Sequence, residues 1–191
     1  MKIFSSFDTD FKKKLVEKEK EVYKDKVYVI SHGKFYYYFY IIVPTILLIL
    51  GMILYFVVLY YTSSSLGSDT ETFINIVWVI VFFVIFVPAW IKMLKKYIDY
   101  IMDFVIVTPK NLISYNQEWI FTRKWRTVDV EKIKTISVNK DGILRSLFNY
   151  GNIVILTEWD EKWAGEINFS FIDDPDNVKF KVMDIVEHWK N

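Results

Sequence analysis

The chain has 191 residues, a formal net charge of +1, 53% hydrophobic and 25% charged residues, and no cysteine. Disulfides, iron–sulfur clusters and thiolate metal sites are therefore excluded, and His32 and His188 alone leave a zinc or Ser-His-Asp site little to draw on. The small net charge gives no global attraction for nucleic acid or an anionic bilayer, so any such attraction has to be local.

Charged and apolar residues are segregated along the chain. The N-terminal stretch DFKKKLVEKEKEVYKDKVYVISHG mixes charges of both signs. Two readings stay open for it. One is a solvated tail with lysines near a bilayer. The other is a short surface helix whose Phe11 and Leu15 touch a folded domain, followed by a strand at Val27–Ser31 that joins its sheet. His32, at the edge of the apolar run, is expected to be structural or solvent-exposed.

No Asp, Glu, Lys or Arg occurs between Lys34 and Asp69. A helix rises about 1.5 Å per residue and a bilayer's hydrocarbon core needs about 20 apolar residues, which Phe35–Tyr61 supplies. Phe73–Ile91 supplies a second uncharged span. Each central Leu, Ile, Phe or Val favours insertion by about 0.3–0.6 kcal/mol, and there is no internal charge to oppose it. The first run starts too late and is too long for a signal peptide. Pro44 and Pro88 fall within the spans and are expected to give gentle kinks.

Tyrosine and tryptophan collect where lipid meets water. Tyr36, Tyr37, Tyr38 and Tyr40 thus form one aromatic belt, Tyr60 and Tyr61 its counterpart, and Trp90 closes the second span. A base-stacking platform would interleave basic residues, and this run has none. The connector TSSSLGSDTE is acidic, whereas lysines flank both spans on the other side (Lys20, Lys24, Lys26, Lys34, then Lys92, Lys95, Lys96). The positive-inside rule then places both termini in the cytoplasm, at the inner face of a cell membrane. The spans hold no central ionisable residue, which argues against a proton relay or ion path.

After the second span, Ile91, Leu94, Ile98 and Ile101 continue a helical period to about Asp103. Strand-like runs follow: FVIVT, a Pro109–Asn111 turn, NLISYN, EWIFTRKWRTVDV, IKTISVN, NIVILTEW and EINFSF. DGILRSLFNYG interrupts them, with Leu144, Leu147 and Phe148 expected to press one helical turn against a sheet. Pro175 opens a last helix that carries Val178, Val182, Ile185, Val186 and Trp189 on one face.

The fold class expected is an α+β membrane protein, in which a transmembrane hairpin precedes a small antiparallel sandwich or barrel capped by a C-terminal helix. The divisions are 1–34 as a cytoplasmic segment, 35–98 as the hairpin (spans about 35–61 and 73–91), and 99–191 as a cytoplasmic domain.

The segments VTPKNLISY, RTVDVEKIKTISV, LRSLFNYGNIVILT and FIDDPDNV resemble successive signatures of bacterial membrane-anchored pleckstrin-homology-like (PH-like) domains. The resemblance covers roughly Phe35 to the C-terminus. It is strongest at Leu147–Ile153 and at Asp174–Pro175. It implies two packed antiparallel sheets capped by the last helix, and it brings no catalytic residues, cofactor or metal. Phosphoinositide-binding relatives use a basic first hairpin, which here offers only Lys110.

Arg123, Lys124 and Arg126 are the basic cluster of the domain. They either meet anionic headgroups, at about 1 kcal/mol per charge near the surface, or keep an exposed strand soluble. Trp119, Phe121 and Trp125 alternate with polar residues and are assigned to the core; exposed instead, they would mark a docking surface. Asp160, Glu161 and Glu166 are read as a solvated hairpin tip rather than an acid–base pair. The function expected is therefore non-enzymatic: a domain held at the membrane for protein interaction or scaffolding, in a membrane complex or homo-oligomer, without nucleic acid. The alternative is a sensor of anionic headgroups through Arg123, Lys124 and Arg126.

Overall fold

The computed structural model describes residues 10–24, 26–64, 68–119, 122–158 and 165–190, with side chains for all of these except 63, 64, 68–74 and 188–190. They form two compact units. One holds the described residues up to Tyr37 together with those from Ile98 onward; the other is Tyr38–Tyr97.

In the first unit, strand β1 (Tyr28–Ser31) pairs antiparallel with β2 (Phe104–Val107), and β2 pairs with β3 (Asn111–Trp119) and β3 with β4 (Thr122–Asp129). A second antiparallel sheet contains β5 (Ile133–Asn139), β6 (Tyr150–Thr157) and β7 (Glu166–Asp173). The helices of this unit are α1 (Asp10–Tyr23), the four-residue α2 (Lys34–Tyr37), the five-residue α5 (Ile143–Leu147) and α6 (Pro175–Lys190).

The register of β1 sets the chain's logic. Tyr28 faces Val107 and Ser31 faces Phe104, so two strands separated by the whole apolar insert close as an antiparallel pair. The insert occupies the place of a hairpin turn. The described part of residues 1–34 is therefore not a segment apart, because its strand lies in the same sheet as β2–β4.

FVIV is a continuous apolar run because β2 is buried on both faces. Val105 and Val107 point into the main core with Ile30, Leu112 and Val128. There they meet Ile153, Ile155, Ile167, Phe169 and Ile172 of the second sheet and Val178, Val182 and Val186 of α6. Phe104 and Ile106 point the other way and form a smaller cluster with Tyr115, against which Phe11, Leu15 and Val16 of α1 pack. The mixed-charge N-terminus is thus a docked helix.

Two turns show why particular residues stand where they do. Between β2 and β3, Thr108 Oγ1 donates to the Asn111 carbonyl at 2.7 Å and accepts from the Asn111 N–H at 2.9 Å. At the end of β1, a Cβ on Gly33 would stand 2.0 Å from Asp173 Oδ1. Only glycine allows that approach, and it lets Asp173 Oδ2 accept the Lys34 N–H at 2.8 Å, capping the helix that starts there.

The run 118–130 is a hairpin rather than one strand, with β3 ending at Trp119 and β4 starting at Thr122. No Gly, Pro, Asn or Asp marks that turn. The residues of α5 were expected to press on a sheet, yet Leu144, Leu147 and Phe148 are exposed.

The second unit is built from a five-residue π-helical turn (Tyr38–Ile42), α3 (Val43–Ser64) and most of α4 (Ser68–Met102). The wide turn comes just before Pro44, which has no N–H to offer the preceding turn. Thr45 Oγ1 donates to the Ile41 carbonyl and so re-satisfies part of that backbone. Tyr55 of α3 nests among Trp78, Phe82 and Phe86 of α4, with ring centroids 5.4–5.6 Å apart, and its hydroxyl donates to the Trp78 carbonyl. Two helical stretches, Lys34–Thr62 with 29 residues and Asn75–Met102 with 28, are long and apolar enough to cross a membrane. Their large apolar side chains are mostly uncovered.

Candidate functional site

Strand alternation decides how the basic residues are distributed. In the β3–β4 hairpin, Leu112 faces Val128, Ser114 faces Arg126, Asn116 faces Lys124 and Gln117 faces Arg123. The face that carries Leu112 and Val128 into the core therefore continues outward as a polar surface bearing Arg126 and Lys124. Arg123 lies on the opposite face. The sequence triplet is not a single cluster.

Arg123 is committed to the packing of α1. Its guanidinium sits 4.6 Å from the Phe11 ring centre, Nε donates to Gln117 Oε1 at 3.4 Å, and a terminal nitrogen lies 3.4 Å from Met102 Sδ. Phe11 in turn meets Tyr115 edge-on at 5.6 Å, and Tyr115 stacks on Phe104 at 4.7 Å. Lys12 lies over the Phe104 ring at 5.3 Å. Burial pushes the Lys12 ammonium below its ordinary pKa. It pushes the Tyr115 phenol up, Glu19 adding to the rise while Arg123 draws it back.

Lys124 and Arg126 open onto a cleft of about 630 Å³ between the hairpin and β7. Lys124 Nζ pairs with Glu118 at 2.5 Å, and Arg126 donates to the Glu166 carbonyl at 3.4 Å, linking the two edges. With the Arg123 guanidinium taken up by α1, the lining sets Lys124, Arg126 and Lys132 against Glu118, Asp129, Glu158 and Glu166, so basic charge is not in excess. A headgroup phosphate gains no net attraction from it. Lys110 is exposed at the β2–β3 turn, beside the Asn111–Asp129 rung. It stands four residues along β3 from Ser114, about 13 Å at strand rise, and does not line the cleft.

Trp119 and Trp125 are 53% and 70% exposed, which overturns their assignment to the core. Tyr115 is the cross-strand partner of Trp125, and it is Tyr115 that α1 covers, whereas Trp125 lines the cleft. Phe121, Asp160 and Glu161 lie outside the described residues.

A second polar group is buried where β1 meets β2. His32 is stacked between Tyr36 and Phe169, at 4.6 and 4.7 Å. Its Nδ1 lies 2.8 Å from the Ser170 carbonyl and its Nε2 3.6 Å from Asp103 Oδ2. Asp103 Oδ1 accepts the Gln117 N–H at 2.6 Å. These contacts hold strand ends together, and His32 is structural. Among the described residues, no three His, Asp or Glu side chains stand close enough to hold a metal ion.

No protein-family model, curated protein or solved structure matches the chain.

The aromatic residues assigned to the lipid boundary divide. Tyr36 is 3% exposed, buried under Tyr100 and Phe171 as well as His32, so its ring is removed from any lipid. Tyr37 is half-buried, 5.2 Å from Tyr100. Tyr38, Tyr60, Tyr61 and Trp90 are exposed, and Tyr40 carries Lys96 over its ring at 5.7 Å. Six consecutive rings on a helix cannot all face one way, so some serve the fold.

Proposed function

We propose that the chain is an integral membrane protein of the bacterial PH-like kind, with its two apolar helices inserted in the inner membrane and both termini in the cytoplasm. Its sheet domain binds a protein partner there. Uncovered Leu, Ile, Val and Phe along two stretches of 29 and 28 residues support insertion. At about 1.5 Å per residue these reach about 42–44 Å, more than the roughly 30 Å hydrocarbon core. Two packed antiparallel sheets followed by a helix agree with the arrangement that the PH-like resemblance implies.

The observation that carries the partner's class is the cleft. Its basic charge is not in excess, and the exposed Trp125 lines it, with the exposed Trp119 at the end of the same hairpin. Tryptophan beside paired charges suits a protein surface, where aromatic anchors supply most of the binding energy. Tethering raises the effective concentration at the membrane, so modest contacts suffice. The role is non-enzymatic: it brings a partner to the bilayer.

The test uses the full-length chain in mild detergent, purified beside a Trp125→Ala/Arg126→Ala variant. A protein recovered with the first and lost with the second supports the reading. Loss of binding that instead tracks anionic against neutral nanodiscs, with no protein recovered, assigns the cleft to headgroups.

A further inference from the structure

The turn between β5 and β6 carries an apolar surface that the fold does not use. Gly142, at φ 102°, swings the chain into α5, whose five residues are ILRSL, and Phe148 closes it by donating its N–H to the Leu144 carbonyl at 3.0 Å. Ile143 is 86% exposed and Leu147 72%, and Leu144 and Phe148 are more than half exposed. Arg145, the only charged residue of α5, is folded back over the Phe171 ring at 5.7 Å. A helix this short cannot cover its own apolar side, and a soluble hairpin end normally carries polar side chains.

The surroundings of this patch say what covers it. The Phe148 ring lies 5.5 Å from Phe35, which also stacks on Tyr150 at 3.9 Å. Phe35 belongs to the apolar helical stretch that opens at Lys34, and the chain passes into the apolar unit at Tyr38, three residues on. Three residues span at most about 10 Å. Phe148 is thus tied by a direct ring contact to a residue that stands at the entry point of the first span, whatever the angle of the domain.

We propose that α5 and Phe148 are an interfacial membrane contact: Ile143, Leu144, Leu147 and Phe148 dip into the lipid interface beside the point where the first helix enters it. The proposal rests on the membrane-spanning reading of the two helices. It gives the domain a second, non-covalent hold on the same leaflet. Arg145 then lies at headgroup depth, where an anionic phosphate suits it. This second hold adds to the two places where the chain passes between the units, Tyr37–Tyr38 and Tyr97–Ile98.

The chain has no cysteine, so single labels can be placed freely. The full-length protein is put into nanodiscs with an environment-sensitive fluorophore at Leu147→Cys. Leu50→Cys, in the middle of α3, is the control for spanning, and the exposed Glu131→Cys is the control for water. Lipids brominated near the headgroup should quench the Leu147 label, and iodide should quench it several-fold less than the Glu131 label. A Leu147 label as open to iodide as Glu131, with Leu50 quenched by deeply brominated lipid, overturns the proposal and leaves the spans standing. Protection from iodide without bromolipid quenching means that protein covers the patch, and it also overturns the proposal. If neither Leu147 nor Leu50 is quenched by any bromolipid, the spanning reading fails and the proposal with it.

Discussion

The N-terminal 33 residues should be needed for the sheet domain to fold, although some sixty residues of apolar insert separate them from it. Consider a fragment beginning at Ile98. It lacks β1, and with it Ile30, which is 2% exposed in the main core. Removing a buried isoleucine down to alanine costs about 2–5 kcal/mol. The fragment also lacks α1, and so loses the Phe11–Tyr115 contact, about 0.5–1.5 kcal/mol, and the Arg123–Phe11 contact, about 0.5–1 kcal/mol. The loss comes to about 3–8 kcal/mol before the β1–β2 ladder is counted, against a total stability of about 5–15 kcal/mol for a domain of this size. The fragment should therefore be largely unfolded. A second chain with 38–97 replaced by a short Gly/Ser linker keeps both elements. Tyr37 and Tyr100 have ring centroids 5.2 Å apart, so the ends to be joined are close. That chain should be soluble and unfold cooperatively in urea, followed by near-ultraviolet circular dichroism. A fragment from Ile98 with the same urea midpoint as the linked chain would show that β1 and α1 contribute nothing to the fold.

Gly33→Ala places a methyl on the Asp173 carboxylate and should cost about 1–3 kcal/mol, read as a lower unfolding temperature of the full chain in detergent. Asp173→Gly in the same chain should recover part of that loss, and additive effects would contradict the contact. Asp103→Ala leaves the Gln117 N–H without its buried acceptor, at about 1–3 kcal/mol, whereas Asp103→Asn keeps an acceptor and should cost less. Burial raises the pKa of Tyr115 above 10.0, and burial together with Asp174 does the same for Tyr28. The folded state therefore favours their neutral forms. Their contribution is complete below about pH 10 and is lost as pH rises through the folded-state values, and Tyr115→Phe should weaken that alkaline loss. Trp125→Ala should change stability by less than about 0.5 kcal/mol, since the ring is 70% exposed, while abolishing partner recovery.

What the sequence revealed divides along physical lines. The apolar stretches and the last helix are written in composition and period, so their extents needed nothing tertiary: Val178, Val182 and Val186 are buried as their spacing requires. The pairing of Val27–Ser31 with FVIV could be suspected but not registered, because a four-residue strand carries no local record of a partner some seventy residues away. The β3–β4 turn lacks the residues that punctuate turns, and its absence from the reading pushed Trp119 and Trp125 into the core. The division of Arg123 from Lys124 was available in advance, since neighbours on any strand face opposite ways. The opposite fates of Tyr36 and Tyr38 were not, because composition cannot distinguish a ring left exposed from one that stacks on a histidine.

The central claim is that both apolar helices lie within a bilayer and carry the sheet domain. Membranes from cells expressing the full-length chain, washed with alkaline carbonate and centrifuged, should retain it in the pellet and release it only with detergent. Recovery of the chain in the carbonate supernatant would mean that the two helices do not lie within the bilayer.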